Sequence, residues 1–366
     1  MADALRIAIV GCGTIAPTHA DAIIADAGER VRLVACSDID PAPADAFRRR
    51  YNIPALSWPN LLDAPDIDAV SICTPTGTHA ELGVQALNAG KHVIIEKPLD
   101  VTPEACDRLI DAQRATGKTL ACICQHRFDA STIFVHDAVT RGDLGPIALV
   151  EARVTWHRTQ QYYDSAHWRG TWALDGGGCL MNQGVHTVDL MLWLCGPVES
   201  VYAQTRTAAH ERIEVEDCVA ATVTFANGAI GSIIASTAAY PGFPVRLAIH
   251  GAQGSAVLEG DALETFSIIG EKAIHGNRAA AHAVSIATGG TREAVANTTA
   301  DSAVDEPASP TTPAKWGDSH RAQILDFARC CRIGQRPLVG GVEGRAAVEV
   351  IRAVYQSAKS GKEIYL

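Results

Sequence analysis

Three stretches of this 366-residue chain combine side-chain type and spacing in ways that suit chemistry. In Glu96-Lys97-Pro98, a lysine closes a short apolar run, His92–Ile95. At the carboxyl end of a parallel strand, the edge where open α/β sheets bind ligands, its ammonium could face a reacting atom. The plain alternative is a solvated surface lysine. Further on, Gly176-Gly177-Gly178 precedes a helical pattern from about Asn182 to Leu194. Asn182, His186 and Asp189 fall at i, i+4 and i+7 and so share one face, opposite Val188, Leu192 and Cys195. The glycines suggest close backbone approach or positive φ. An imidazole titrates near pH 6.5 and can pass a proton either way at neutral pH, although a helix histidine is more often structural.

The third stretch is Gly11-Cys12-Gly13-Thr14-Ile15-Ala16, which follows the run Leu5–Val10 and opens a helix reaching about Ala25. Gly11 permits the tight turn and Gly13 lets the backbone approach a pyrophosphate. Ala16 allows close helix–strand packing, and the helix N-terminus, with Thr14 and Ile15, favours negative charge. Roughly 20 residues on, Asp38 ends a second strand, where a carboxylate would accept hydrogen bonds from an adenosine ribose. A carboxylate there disfavours the 2′-phosphate of NADP, so NAD is the preferred cofactor and NADP the lesser possibility. The plain alternative for Asp38 is a helix-capping turn residue before Pro41.

The elements that must position these groups follow two rhythms. Leu5–Val10, Val31–Cys36, Asp68–Cys73, His92–Ile95 and Thr119–Gln125 are predicted strands. Helices are expected between them, among them His79–Ala89 and Pro103–Thr116. That alternation means βαβ units and a parallel sheet. It puts Thr74, Pro75, His79, Glu96 and Lys97 near the cofactor edge. After Gly145-Pro146 the runs Ile147–Trp156, Val198–Thr207, Cys218–Phe225, Ala229–Thr237, Val245–His250, Ser255–Leu258 and Leu263–Ile269 succeed one another with short turns. They predict an antiparallel sheet. The expected fold class is α/β, a Rossmann doubly wound parallel sheet (residues 1–126) followed by an α+β domain on a large, mainly antiparallel sheet (127–366). Lys272–Trp316 reads as a long loop, and two helices close the chain, with packing back on the Rossmann domain open to them. Gln125, Arg127, Tyr163 and Trp168 are candidates for a substrate pocket. Their plain alternatives are an ion-paired surface arginine for Arg127 and a core residue for Trp168.

A formal charge of −10 argues against a nucleic-acid partner. No apolar run is long enough to span a bilayer, and Met1–Arg6 leads straight into a strand pattern, which points to a cytoplasmic chain. The eleven cysteines show no zinc-ligand spacing and are expected to be reduced thiols. His186 with Asp189 lacks a third metal ligand, so no metal is expected.

These segments together resemble the glucose–fructose oxidoreductase/inositol dehydrogenase (Gfo/Idh/MocA) family. GCGTIA, CTPTGTHAELGVQALNAGKHVIIEKPL, WRGTWALDGGGCLMNQGVHTVDLMLWLCGPV and EGRAAVEVIRAVYQSAKSGKEI carry the resemblance along essentially the whole chain. It implies hydride transfer between nicotinamide and a secondary alcohol of a sugar, sugar nucleotide or polyol. It also implies a homodimer or homotetramer formed through the open face of the C-terminal sheet. The family's catalytic lysine falls on Lys97 and its histidine on His186, while the position of its aspartate is Asn182. That exchange is shared with a branch resembling UDP-N-acetylglucosaminuronate 3-dehydrogenases. It leaves Lys97 and His186 to handle the proton and Asn182 to orient substrate. An NAD-dependent glycosidase working by transient oxidation, or a non-catalytic sugar- or NAD-sensing regulator, stays open as an alternative.

Overall fold

The computed structural model describes residues 4–26, 28–276 and 317–366. They form two compact units, one drawn from Met1–Gln125, Thr171–Gly176 and Lys315–Glu349, the other from His126–Gly170, Gly177–Ala314 and Val350–Leu366. Two stretches distant in sequence thus join the first unit beyond residue 126, the second of them carrying one of the closing helices. The physical reason is core completion: Ile324, Phe327 and Ala328 of a late helix belong to the same apolar cluster as Ile7, Ile9 and Ala16.

In the first unit, β1 (Leu5–Val10), β2 (Val31–Ser37), β3 (Ala69–Ile72), β4 (His92–Ile95) and β5 (Leu120–Cys122) form a parallel sheet ordered β2-β1-β3-β4-β5. The strand order reverses between β1 and β3, which makes their carboxyl ends the crevice where such sheets take ligands. α1 (Ala16–Ile24), α2 (Pro41–Tyr51), α3 (Trp58–Asp63), α4 (His79–Asn88) and α5 (Pro103–Thr116) connect or follow the strands. Local signals set several boundaries. α2 starts where the Asp40 carboxylate accepts the Ala42 N–H, and α5 starts where Thr102 accepts that of Ala105 and stops at left-handed Gly117. The strand expected to reach Gln125 ends at Cys122, because a 3-10 turn, Gln125–Phe128, takes over.

The second unit holds α6 (Ala130–Arg141), β6 (Ile147–Thr155), α7 (Gln160–Asp164), a π-helical turn (Cys179–Gly184), α8 (Val185–Cys195) and strands β7 (Val198–Arg206) to β14 (Ile364–Tyr365). Between those two strands come β8 (Cys218–Phe225), β9 (Ile230–Ser236), β10 (Arg246–Gly251), β11 (Gly254–Glu259), β12 (Ala262–Ile268) and β13 (Ile274–His275). Two later helices are α9 (Asp318–Ile333), which belongs to the first unit, and α10 (Gly341–Ser360), whose residues are divided between the two units after Glu349. Among the described residues the sheet has nine strands, ordered β13-β12-β11-β10-β6-β9-β8-β7-β14. Neighbours run antiparallel except β6 and β9. β13 occupies the start of the expected Lys272–Trp316 loop by pairing with β12. The rest of that loop, from residue 277, lies outside the described residues. Alternate residues of β6, β8 and β9 are buried, and the other face exposes Leu149, Ile230, Ile234 and Tyr202 of β7. No helix among the described residues is long and apolar enough to cross a membrane.

Candidate active site

In the first unit, the residues expected at a dinucleotide gather on the carboxyl edge of the parallel sheet. Gly11 has φ +87°, and a Cβ there would lie 2.8 Å from the Cys73 carbonyl carbon and oxygen. Only glycine therefore lets the β1 and β3 ends meet this closely. A Cβ on Gly13 would meet nothing within 4 Å, so this turn of backbone opens outward. The N-cap of α1 is Ile15, whose apolar side chain cannot cap, and Ala16 behind it is fully buried. Asp38 is half-buried; one carboxylate oxygen accepts the Cys12 N–H at 2.7 Å and the other the Asp40 N–H at 2.9 Å. The N-cap of α2 is Asp40, whereas Asp38 accepts the Asp40 N–H as a turn residue does and keeps lone pairs for a ribose beside the glycine turn. An open glycine backbone, a helix start with no capping side chain and an adjacent carboxylate fit a dinucleotide well.

Two further loops complete this edge. Both ring nitrogens of His79 sit 2.9 Å from carbonyl oxygens, Nε2 from Thr74 and Nδ1 from Pro98, so this buried residue braces the loop after β3 against the one carrying Lys97. The Glu96 carboxylate turns into the core, 2.8 Å from His19 Nε2, and also accepts the Lys97 N–H at 3.0 Å. Burial works against charge on His19, but Cys73 and Glu96 outweigh it and raise it to about 10. Burial likewise opposes the Glu96 charge, yet His19, His320 and Lys97 hold it down to about 2. Lys97 is thus seated on a buried ion pair. Gln125 ends the unit, its side chain buried.

Three glycines precede the π-turn: Gly176 closes a stretch of the first unit, and Gly177 and Gly178 belong to the second. Gly176 has φ +79°, a Cβ on Gly177 would lie 2.2 Å from the Tyr355 hydroxyl, and one on Gly178 would lie 1.7 Å from the Glu216 carbonyl. Expected close approach is what these glycines provide. The expected single α-helix face is revised, because Asn182 lies in the π-turn and only His186 and Asp189 lie on α8. Asp189 is 1 % exposed and takes a bidentate pair from Arg127, Nε at 2.8 Å and Nη2 at 2.7 Å. Arg127 is thereby committed to α8. Val188 and Cys195 are buried as expected, with Leu192 partly so. Asn182 and His186 are half-buried, and the His186 ring meets the His126 ring edge to face.

Tyr163 is buried and its hydroxyl lies 2.7 Å from Thr237 Oγ1, which ties α7 to the sheet. Trp168, half-buried, lies 4.5 Å from the Arg169 guanidinium carbon, which also sits 4.3 Å from the Tyr162 ring. Arg158 stacks on Tyr162 at 5.2 Å and on Trp156 at 5.0 Å. The Tyr162 hydroxyl accepts from Arg169 Nη1 at 2.6 Å and from Gln183 Nε2 at 3.0 Å, joining this cationic, aromatic cluster to the neighbour of Asn182. Sequence reasoning passed over Tyr162, Arg158, Arg169 and Glu216. The interleaving of arginine with aromatic residues from Trp156 to Arg169 was the signal available for the first three. No metal was expected from ligand spacing. Tertiary folding brings together two trios, His19–Glu96–His320 and His126–Asp129–Asp261, with ligand atoms within 4.8 Å of one another, and in each trio a histidine is bonded to a carboxylate.

A parallel sheet with a glycine turn at its switch point, followed by a large mainly antiparallel sheet, is the architecture of a dinucleotide-binding protein with a second domain. Family models agree: residues 5–123 match the oxidoreductase family with NAD-binding Rossmann fold, and residues 133–257 match the GFO/IDH/MocA C-terminal domain. The chain belongs to the Gfo/Idh/MocA family and is an NAD-binding oxidoreductase. It is similar to the WlbA dehydrogenase of Bordetella pertussis, solved with NADH and UDP-GlcNAcA, at 32 % identity and a TM-score of 0.81 over 99 % of each chain. It is 33 % identical to the D-glucoside 3-dehydrogenase of Escherichia coli, over 62 % of this chain and 68 % of that one. It is 29 % identical to the inositol 2-dehydrogenase of Rhizobium meliloti, over 70 % and 76 %.

Beneath the π-turn, the buried Glu216 carboxylate accepts the Gly178 N–H at 2.8 Å and the Leu180 N–H and Tyr355 hydroxyl at 3.0 Å. Burial dominates and pushes its pKa up to about 7 against these bonds. A carboxyl whose folded pKa is raised contributes stability that is present below its unfolded pKa and lost as pH rises through the folded one. Its contribution should therefore fall by about 3 kcal/mol between about pH 4.5 and pH 7. Urea unfolding at pH 5 and pH 8 should show that fall in the wild type and a smaller one in Glu216→Gln. Equal falls in the two proteins would contradict the assignment.

Proposed function

We propose that this protein oxidises, or in reverse regenerates, a secondary alcohol of a carbohydrate that carries negative charge, a sugar nucleotide or a uronate. The observation that carries this reading is the pairing of Arg158 and Arg169 with the Trp156, Tyr162 and Trp168 rings beside the Asn182 turn. Aromatic faces stack on the apolar face of a sugar, and guanidinium groups take carboxylate or phosphate oxygens. The likeness to the enzyme solved with NADH and UDP-GlcNAcA supports the same reading.

The chemistry supplied by NAD, when bound, is uptake of hydride from the alcohol carbon. The Gly11–Ala16 turn holds the pyrophosphate at the start of α1, and Asp38 takes the ribose. Thr74 and Pro75 border the same edge, with His79 and Glu96 bracing Lys97 from below. His186 takes the hydroxyl proton. The Lys97 ammonium stabilises negative charge developing on the oxygen. Asn182, a neutral amide that cannot act as a base, orients the substrate. We place the protein in the cytoplasm, with its cysteines as free thiols.

A panel of sugars, uronates and UDP-sugars should give NADH absorbance with a charged sugar and little with myo-inositol. Release of UDP or aglycone without net NADH would instead mark a glycosidase. With the active sugar, Lys97→Ala and His186→Ala should each lower turnover ~10²–10⁴-fold while NADH affinity stays near native. More than a tenth of wild-type turnover in His186→Ala would route the proton elsewhere. Asn182→Ala should act mainly on KM.

Because Asp38 faces the glycine turn, calorimetry should show tighter binding of NADH than of NADPH, and Asp38→Ser should narrow the difference. Equal affinities in the wild type would remove Asp38 from its role.

The exposed apolar residues Leu149, Ile230, Ile234 and Tyr202 lie on one face of the large sheet. A second copy covering that face, in a homodimer or homotetramer, would take them from water. Light scattering should show an oligomer that Ile230→Asp with Ile234→Asp dissociates. A wild-type monomer at micromolar concentration would refute this assembly.

A further inference from the structure

Within the second unit, the His186 ring meets a second imidazole. His126, in the turn after β5, lies with its ring centroid 5.2 Å from that of His186 and its plane at 87°. The next residue, Arg127, grips Asp189 further along α8 through the buried bidentate pair. Two consecutive residues of one turn therefore engage consecutive parts of one helix, and His126 cannot swing aside without disturbing a desolvated ion pair.

Carboxylates hold the other side of His126. Its Nδ1 lies 2.7 Å from Asp129 Oδ2, at the N-cap of α6, and 3.5 Å from Asp261 Oδ1, in the turn between β11 and β12. The Ser131 hydroxyl donates to the Asp261 carbonyl at 3.0 Å and anchors that turn. From α8, His126 faces His186 and Asp189, the latter already matched by Arg127. Burial disfavours a proton on His126, but Asp129, Asp261 and Asp189 outweigh it and raise it to about 8. Near neutral pH, His126 is then a cation standing against the His186 ring, with Asp129 and Asp261 on its Nδ1. Its own charge opposes a second proton on His186, and it offsets the carboxylates that would invite one.

We propose that His126 is a positioning residue for His186, holding its ring edge to face and keeping it neutral, and so able to accept a proton, in the presence of Asp129 and Asp261. The inference rests on His186 being the proton acceptor proposed above, and the two are tested separately. The first measurement needs no ligand. Histidine-selective NMR titration of the full chain from pH 5 to pH 9, with the His186 signal identified by its loss in His186→Gln, reads the midpoint of His186 directly. In His126→Phe, which keeps a flat ring but no charge, that midpoint should rise by roughly half a pH unit or more, and the wild-type signal should show two coupled steps. His126→Gln, neutral and smaller, should move it the same way and serves if the phenylalanine variant does not fold. A midpoint unchanged within about 0.1 unit in the folded variants overturns the inference; a merely structural role for His126 would leave it there.

The second measurement is the pH profile of kcat/KM with NAD and UDP-N-acetylglucosaminuronate. Its acid limb should move up by the same amount in His126→Phe. If His186→Ala keeps its activity and its acid limb in that assay, the assignment of His186 as acceptor fails, and the inference fails with it. If His186→Ala is inactive but the limb of His126→Phe stays in place, only the inference fails.

Discussion

A charge taken out of water must be matched where it is buried, and removing one partner of such a pair typically costs about 3–5 kcal/mol. Much of the arrangement around Lys97, Asn182 and His186 answers that constraint. In the first unit Glu96 is buried against His19, and the same carboxylate takes the N–H of Lys97. In the second, Asp189 is buried against Arg127 one helical turn from His186, and Glu216 is buried under the π-turn that bears Asn182. Each of these three proposed site residues thus neighbours a carboxylate that cannot move without losing its partners. Displacing the backbone beside them would carry the cost of exposing or orphaning these charges.

Glycine supplies a second, steric constraint that acts at the same places. Gly11 lets the ends of two strands approach at the point where the parallel sheet reverses order, and Gly178 lets the backbone before the π-turn lie against Glu216. In both positions a methyl group would collide with backbone, which no rotamer change can relieve. The close approach in the first unit leaves an open stretch of backbone at Gly13. In the second unit it brings N–H groups onto a buried carboxylate.

Electrostatics also separates the whole from the part. The chain carries a net charge of −10, yet Arg158 and Arg169 are set among aromatic rings next to the Asn182 turn. Net charge governs solubility and long-range encounter, whereas recognition depends on the few charges that face a ligand. The two sheets divide along similar lines. The parallel sheet, in the first unit, has strands buried nearly throughout, while alternate residues of the large sheet leave one face apolar and exposed.

Much of the architecture was legible in the sequence, since its signals are local. The strand–glycine turn–helix opening, the helix Pro103–Thr116 between its Thr102 cap and Gly117, and the succession of short strands after Pro146 depend on residues close in the chain. The candidate residues Lys97, Asn182 and His186 were legible for the same reason, through motifs of fixed spacing. Tertiary structure decided what depends on partners far away in the chain. Arg127 read as a ligand candidate or an ion-paired surface residue, and folding paired it, buried, with Asp189, 62 residues on; Tyr163 likewise met Thr237. The regular helix expected from Asn182 became a π-turn with Glu216 and Tyr355 packed on it. Which residues of the late helix α9 complete the core begun some 300 residues earlier also depended on folding. Periodicity and motif spacing are written along the chain. The partner of a buried charge is set by which segments meet in three dimensions.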